Sequence, residues 1–378
     1  MKNKGLIIAL LALAVLVAGY FVWQGGANDE VSNKEVIKIG VIVPLSGESA
    51  FWGQNIKDGI ELAKDKINKN GGIKGRQIIT IYEDTKGEPK TATNAVNKLI
   101  NTDDISYIIG DVISSNILAI APIVEKNTVP LIGFGESAEI TNAGDYIFRN
   151  WNSASSDAAI TGKFAAENSK TIILLSRNDA FGLSAKTIFK KVVNGKLKII
   201  DDIQFDTESN DFRSIISLIK NKSYDAIYFA GFHKEAMEFL SQYIEMGGQP
   251  VDIYGVSSWE EQTLIEFIEQ NYPGTVYYGY PKPPDSTLAE VIEFRSLFKQ
   301  TYGKSPEILN DNGYDAVMMY KKAIELVGSF EQEKVKDGLY LLDDFKGATG
   351  EFSIDDNGDV QKPFGLKRIN SKGVKWIQ

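Results

Sequence analysis

The sequence has no cysteine and a single histidine, His233, in 378 residues. The first absence excludes disulfides, thiolate metal sites, a cysteine nucleophile and a lipid-modified N-terminal cysteine. The second excludes any centre needing two imidazoles, HExxH zinc chemistry among them, and leaves acid–base work near neutral pH to carboxylates. His233 itself, in FHKEAMEF, reads as a rim or surface residue at a helix start. Basic clusters are missing too. After residue 27 the chain carries 39 basic against 50 acidic side chains, a net −11, with the two signs interspersed. That pattern excludes nucleic acid, because phosphate neutralisation needs Lys and Arg gathered on one face. Cofactor and metal signatures fail on inspection. Gly133-Phe134-Gly135-Glu136-Ser137-Ala138 fits GxGxxA, but it follows the fourth strand instead of the first, and no ribose-holding acid comes after it. Asp355-Asp356-Asn357-Gly358-Asp359 opens like a calcium loop but has Val360 where the glycine belongs, so it reads as a hairpin turn. No cofactor and no metal are expected.

One long apolar run is present. GLIIALLALAVLVAGYFVW (5–23) is uncharged over 19 positions and follows Lys2 and Lys4. A bilayer span needs about 20 apolar residues and a signal-peptide core roughly 7 to 15, so the length favours an uncleaved anchor. Small residues at 17 and 19, and at 25 and 27, keep a cleaved signal peptide open. Residues 1–27 are expected to be a signal anchor or signal peptide and residues 28–35 a polar tether. The flanking lysines orient the body outside the cytoplasm.

Beyond the tether, strand and helix signals alternate. VIKIGVIVPL (36–45) has the β-branched run of a strand buried on both faces. Ile56, Ile60, Ala63 and Ile67 then mark one helical stripe, stopped by Gly71 and Gly72. Further strands are expected at 76–84, 106–112, 129–135, 170–176, 197–205, 225–231, 251–257 and 275–281. The helical stretches between most of them predict βαβ units and parallel sheets. The last 29 residues alternate around Asp-Asn-Gly and Lys-Gly turns and predict antiparallel hairpins. So many strands exceed one compact sheet, and two α/β lobes are the economical arrangement. Breaks are expected at 149–156 and at 277–286, whose prolines do not suit a central strand. If the chain returns to the first lobe, the division is 36–150 plus 280–345 against 151–279 plus 346–378.

PLSGESAFWGQ, INKNGGIKG and YEDTKGEP (44–89), then IIGDVISS (108–115), VPLIGFGESAEIT (129–141), SRNDAFG (176–182), DFRSIISLIKNKSYDAIYFAGFHKEA (211–236) and KGATGEFSIDDNGDV (346–360) occur in order. Together they resemble the type I periplasmic binding proteins of the leucine/isoleucine/valine-binding group, over essentially everything after the tether. The resemblance implies two interleaved Rossmann-like lobes joined by a three-strand hinge. It also implies a small-molecule ligand between them, no catalysis, and delivery of that ligand to the permease subunits of an ABC importer. A sensor input module shares the fold and is the competing class.

In parallel α/β sheets ligands sit beyond the carboxyl ends of the strands. There, Ser114 and Ser115 follow the third strand at a helix start, where a serine is either a cap or an anion ligand; by resemblance Ser114 holds a ligand carboxylate. After the fourth strand, Phe134, Gly135 and Glu136 stand where the family supplies a hydroxyl and backbone groups. Glu136 takes the hydroxyl position and is otherwise a first-turn helix acid. Trp52, Phe181 and Phe232 are core aromatics or, by resemblance, cleft walls; phenylalanine in place of the family's usual tyrosine makes the cleft more apolar. Ser257 stands where the family often has an acid for the ligand ammonium. Either Glu136 takes over that role, for a small apolar or branched-chain amino acid, or the ligand is an amide, an aromatic acid or another solute without an ammonium.

Overall fold

The computed structural model describes residues 36–207 and 209–377. The expected N-terminal anchor and tether lie outside them. No helix among the described residues is long and apolar enough to cross a membrane.

Five parallel strands form the first sheet: β1 (Ile37–Val43), β2 (Ile78–Asp84), β3 (Tyr107–Gly110), β4 (Leu131–Gly133) and β5 (Ile147–Arg149), in the order β2-β1-β3-β4-β5. Ile39, Val41, Ile42 and Val43 of β1 are fully buried, as a strand covered on both faces requires. Three helices connect these strands: α1 (Ala50–Lys69), α2 (Pro89–Asn101) and α3 (Ser114–Lys126). The stripe Ile56, Ile60, Ala63 and Ile67 is the face α1 turns to the core.

A second, seven-stranded sheet contains β6 (Thr171–Arg177), β7 (Lys198–Phe205), β8 (Ala226–Ala230), β9 (Asp252–Tyr254) and β10 (Val276–Pro281). The helices around it are α4 (Ala154–Asn168), α5 (Ala180–Val193), α6 (Arg213–Ile219), α7 (His233–Glu245) and α8 (Gln262–Asn271). After β10 the chain returns to the first lobe as α9 (Ala289–Tyr302), α10 (Asn310–Val327) and α11 (Gln332–Tyr340). The small antiparallel sheet β11 (Phe345–Gly347), β12 (Gly350–Ile354) and β13 (Val360–Gln361) follows. The final hairpin, β14 (Phe364–Asn370) and β15 (Gly373–Trp376), adds antiparallel to β10 and completes the order β15-β14-β10-β9-β8-β6-β7. Each lobe has its own core, and the chain passes between them after β5, after β10 and after β13.

Three expectations need correcting. The third passage lies at 362–363, not at 345/346, because Phe345, Phe352, Ile354 and Val360 pack into the first lobe's core. Arg149, expected to open a break, is instead the last residue of β5, a short strand the sequence reading did not include. β10 is a central strand in spite of Pro281, which is its last residue and opposite Phe364. Its missing N–H therefore falls at the strand's end.

Candidate functional site

The carboxyl ends of the strands in both lobes face one small pocket, lined by Trp52, Val112, Ser114, Phe134, Glu136, Trp151, Phe181, Phe232, Ser258, Ile308 and Leu309. Its volume is about 30 Å³, room for one or two water-sized spheres. A wider groove of about 1160 Å³ shares Trp151, Ile308 and Leu309 with it. The groove is walled mainly by the crossover segments and by surface-facing residues such as Lys282 and Arg295, whereas the smaller pocket gathers the strand-end residues.

The apolar half of the pocket is an aromatic stack. Asp179 caps α5 by accepting the Gly182 N–H at 2.9 Å, which seats Phe181 in the first turn. Glu235 accepts the Phe232 N–H at 2.8 Å and fixes the start of α7. The Phe181 and Phe232 rings stack with centroids 5.0 Å apart, and Trp52 meets Phe232 edge-on at 5.1 Å. The Arg177 guanidinium lies 4.3 Å from the far side of Phe232, and Asp179 and Glu235 compensate its charge. His233 also contacts Trp52, edge-on at 5.4 Å, and so sits at the seam between the lobes.

The polar half is built on α3 and the turn after β4. Asp111 Oδ1 accepts the N–H groups of Val112 (2.5 Å) and Ile113 (2.9 Å), which leaves those of Ser114 and Ser115 as donors the helix itself does not use. Ser114 is the first residue of α3 and not its cap. Its buried hydroxyl accepts from the N–H groups of Glu136 (3.1 Å) and Ser137 (3.0 Å), and so ties the two strand-end turns together. Ser115 is only half-buried and is not part of the pocket wall. Gly135 has no room for a side chain: a Cβ there would come within 2.7 Å of Ile140 and 2.9 Å of Ile117. Arg149, fully buried and paired with Asp359, donates to the carbonyls of Gly135 (3.3 Å) and Ser137 (2.7 Å) and holds the turn from behind.

Among the described residues Glu136 is the one acid in the pocket wall. Its Oε1 accepts from Trp151 Nε1 at 2.9 Å and from the Ser257 hydroxyl at 2.6 Å, while its buried Oε2 has no partner among the described residues. Burial pushes its carboxyl above the ordinary range, against opposing contributions from Ser257, Trp151 and Arg149. Ser257 therefore lies behind Glu136, and the neighbouring Ser258 lines the pocket with a buried, unpartnered hydroxyl. The Ser257 N–H donates to Asp157 Oδ2 at 2.5 Å, and Gly279 N–H donates to Asp157 Oδ1 at 3.0 Å. Asp157 is pushed well up by burial and then by the charge of Glu136.

The structure thus brings Trp52, Ser114, Phe134, Glu136, Phe181 and Phe232 to one pocket. It sets Gly135 and Ser257 behind the wall and leaves Ser115 outside it. Trp151, Asp157, Ser258, Ile308 and Leu309 were not anticipated. Trp151 follows β5, a short strand outside the expected set, and Ile308 and Leu309 lie between α9 and α10, where no strand end points to them. Asp157 looks in sequence like an ordinary first-turn helix acid. Among the described residues no cluster of His, Cys, Asp and Glu could hold a metal.

Comparison with known proteins agrees with this architecture. The leucine-, isoleucine-, valine-, threonine- and alanine-binding protein of Pseudomonas aeruginosa is 27% identical over 368 residues, covering 96% of this chain and 95% of its own. The crystal structure of LivJ from Streptococcus pneumoniae in complex with isoleucine superposes with a TM-score of 0.79 at 25% identity, over 91% of this chain and 99% of that one. A Rhodopseudomonas palustris solute-binding protein in complex with benzoate shares the fold, with a TM-score of 0.77 at 21% identity over 90% and 95% of the two chains. Residues 36–374 match the periplasmic binding protein family as a whole. The chain belongs to that family of non-catalytic solute binders, in its leucine/isoleucine/valine-binding group.

Proposed function

We propose that this protein captures a small apolar α-amino acid, such as a branched-chain one, between its lobes and presents it to the permease of an ABC importer. The observation that carries this reading is Glu136 Oε2, a carboxylate oxygen buried without a partner in an otherwise apolar and hydroxyl-lined pocket. Buried polar atoms are almost always paired, so this one calls for a donor from a ligand. An ammonium supplies it, and its charge favours the ionised carboxyl that burial disfavours. The ligand carboxylate would lie against the unused N–H groups at the start of α3 and against Ser114. Its side chain would lie between Trp52, Phe181 and Phe232. Support comes from the names of the relatives, which bind leucine, isoleucine and valine, and from the isoleucine complex of LivJ.

Since the pocket as described holds little more than water, entry requires the lobes to part about the three crossovers. The ligand then shifts the population toward the closed arrangement. Residues 5–23 serve as the membrane anchor that keeps the body at the outer face of the cytoplasmic membrane.

An aromatic acid is the second reading, favoured by the phenylalanine walls and by a serine, Ser258, where this segment meets the pocket. Glu136→Gln separates the two. Calorimetric titration is expected to show amino-acid affinity falling by roughly 100-fold, the cost of leaving a buried charge unpaired. Unchanged amino-acid affinity, or binding of benzoate and of no amino acid, would contradict the amino-acid reading.

A further inference from the structure

Glu136 and Asp157 belong to different lobes. Glu136 follows β4 of the first, whereas Asp157 lies in α4, whose Ala154 and Ala158 pack into the core of the second. Ser257 joins them, its hydroxyl on Glu136 and its N–H on Asp157, and both carboxylates are buried. We propose that this pair gates closure by charge: the lobes shut fully only when a proton or a ligand cation neutralises it. The inference rests on the proposed ligand reading for the identity of that cation, but not for the gate itself.

Two carboxylates brought together away from water repel unless one is neutralised. The surrounding groups do not supply a free counter-charge. Among the described residues Arg149 is the one cation acting on Glu136, and it is already engaged by Asp359 and by two carbonyls. Tyr228 and Tyr280 face the pair as neutral phenols, the first with an unpartnered hydroxyl. Trp151 and Ser257 donate single hydrogen bonds to Glu136, and two backbone N–H groups serve Asp157. Burial holds both carboxyls above their ordinary range, and the charge of Glu136 raises Asp157 further, in keeping with a site that takes up a proton when it shuts without a cation. A solute without an ammonium would have to bind together with a proton. The pair thus favours amino acids over uncharged or purely anionic analogues at neutral pH.

The test needs no ligand. Small-angle scattering of the full chain is measured from pH 8 to pH 4.5 in a His233→Gln background, which removes the imidazole at the seam. The account expects the radius of gyration to fall as pH falls. It expects Glu136→Gln and Asp157→Asn each to be compact across the whole range. Should Asp157→Asn fail to fold, since it serves two backbone donors, Glu136→Gln carries the same expectation. A radius that is independent of pH and equal in parent and variant overturns the gate. If compaction follows pH but no amino acid binds, the gate stands and the ligand reading fails. Where amino acids bind, the hydroxy-acid analogue of leucine should bind roughly 100-fold more weakly at pH 8 and recover part of that deficit at pH 5. An unvarying ratio would contradict the gate.

Discussion

Ser114 illustrates how one side chain serves structure and ligand together. Its hydroxyl satisfies two buried N–H groups, so Ser114→Ala should cost about 1–3 kcal/mol of stability in urea unfolding and weaken carboxylate ligands in the same protein. A loss of stability with full affinity would restrict it to the structural role. His233 is testable through pH. Burial lowers its imidazole below the ordinary value near 6.5, with Lys234 adding to the effect and Glu261 opposing it. The closed protein therefore binds fewer protons than an exposed imidazole would. Its stabilisation is complete above about pH 6.5 and is lost as pH falls through the lowered value. Ligand affinity should weaken below that pH, and His233→Gln should reduce the slope of affinity against pH in titration calorimetry. At this scale Ser114 and Glu136 were legible because they follow strand ends, where topology points to the cleft, whereas Trp52, Phe181 and Phe232 were legible only through the family resemblance. Ser257 was misjudged by one residue, since a short 3-10 turn at 257–259 swings Ser258 to the pocket and Ser257 behind it.

At the scale of elements, α1 and α10 approach backbone to backbone. A Cβ on Gly59 would lie 1.9 Å from the Asn310 carbonyl oxygen, and one on Gly313 would lie 2.3 Å from that of Ile56. Asn55 and Asn310 lock the contact by donating side-chain amide hydrogen bonds to backbone carbonyls of the opposite segment, Asn55 to Ile308 at 3.1 Å and Asn310 to Asn55 at 2.8 Å. That clamp also holds Leu309 at φ 69°, left-handed backbone unusual for leucine, where it lines the pocket. Gly59→Ala should destabilise by about 1–3 kcal/mol in chemical denaturation, and wild-type stability would show that the helices can move apart without loss. The alternation of strands and helices was readable because buried parallel strands are continuous apolar runs. The ownership of β11 to β13 was not, because an alternating hairpin looks the same whichever core receives it.

For the molecule as a whole, the crossovers about which the lobes are proposed to part also carry a partly buried charge cluster. Lys362, between β13 and β14, donates to Asn150 after β5 at 3.1 Å and to Thr349 at 2.8 Å, with Asp311 and Asp315 nearby. Burial pulls its amine down to about 8, against those two carboxylates. Between about pH 8 and the ordinary 10.5 the unfolded chain binds more protons, so stability rises with pH across that window. In Lys362→Met this part of the rise should vanish, so that the difference between variant and wild-type stability changes with pH across the window; a constant difference would contradict it. The central claim concerns the cleft. Titration calorimetry of the wild-type protein with isoleucine and with benzoate, at pH 7.5 in matched buffer, tests it most directly. Saturable binding of isoleucine without binding of benzoate is the predicted result, and saturable benzoate binding with no response to isoleucine would contradict it.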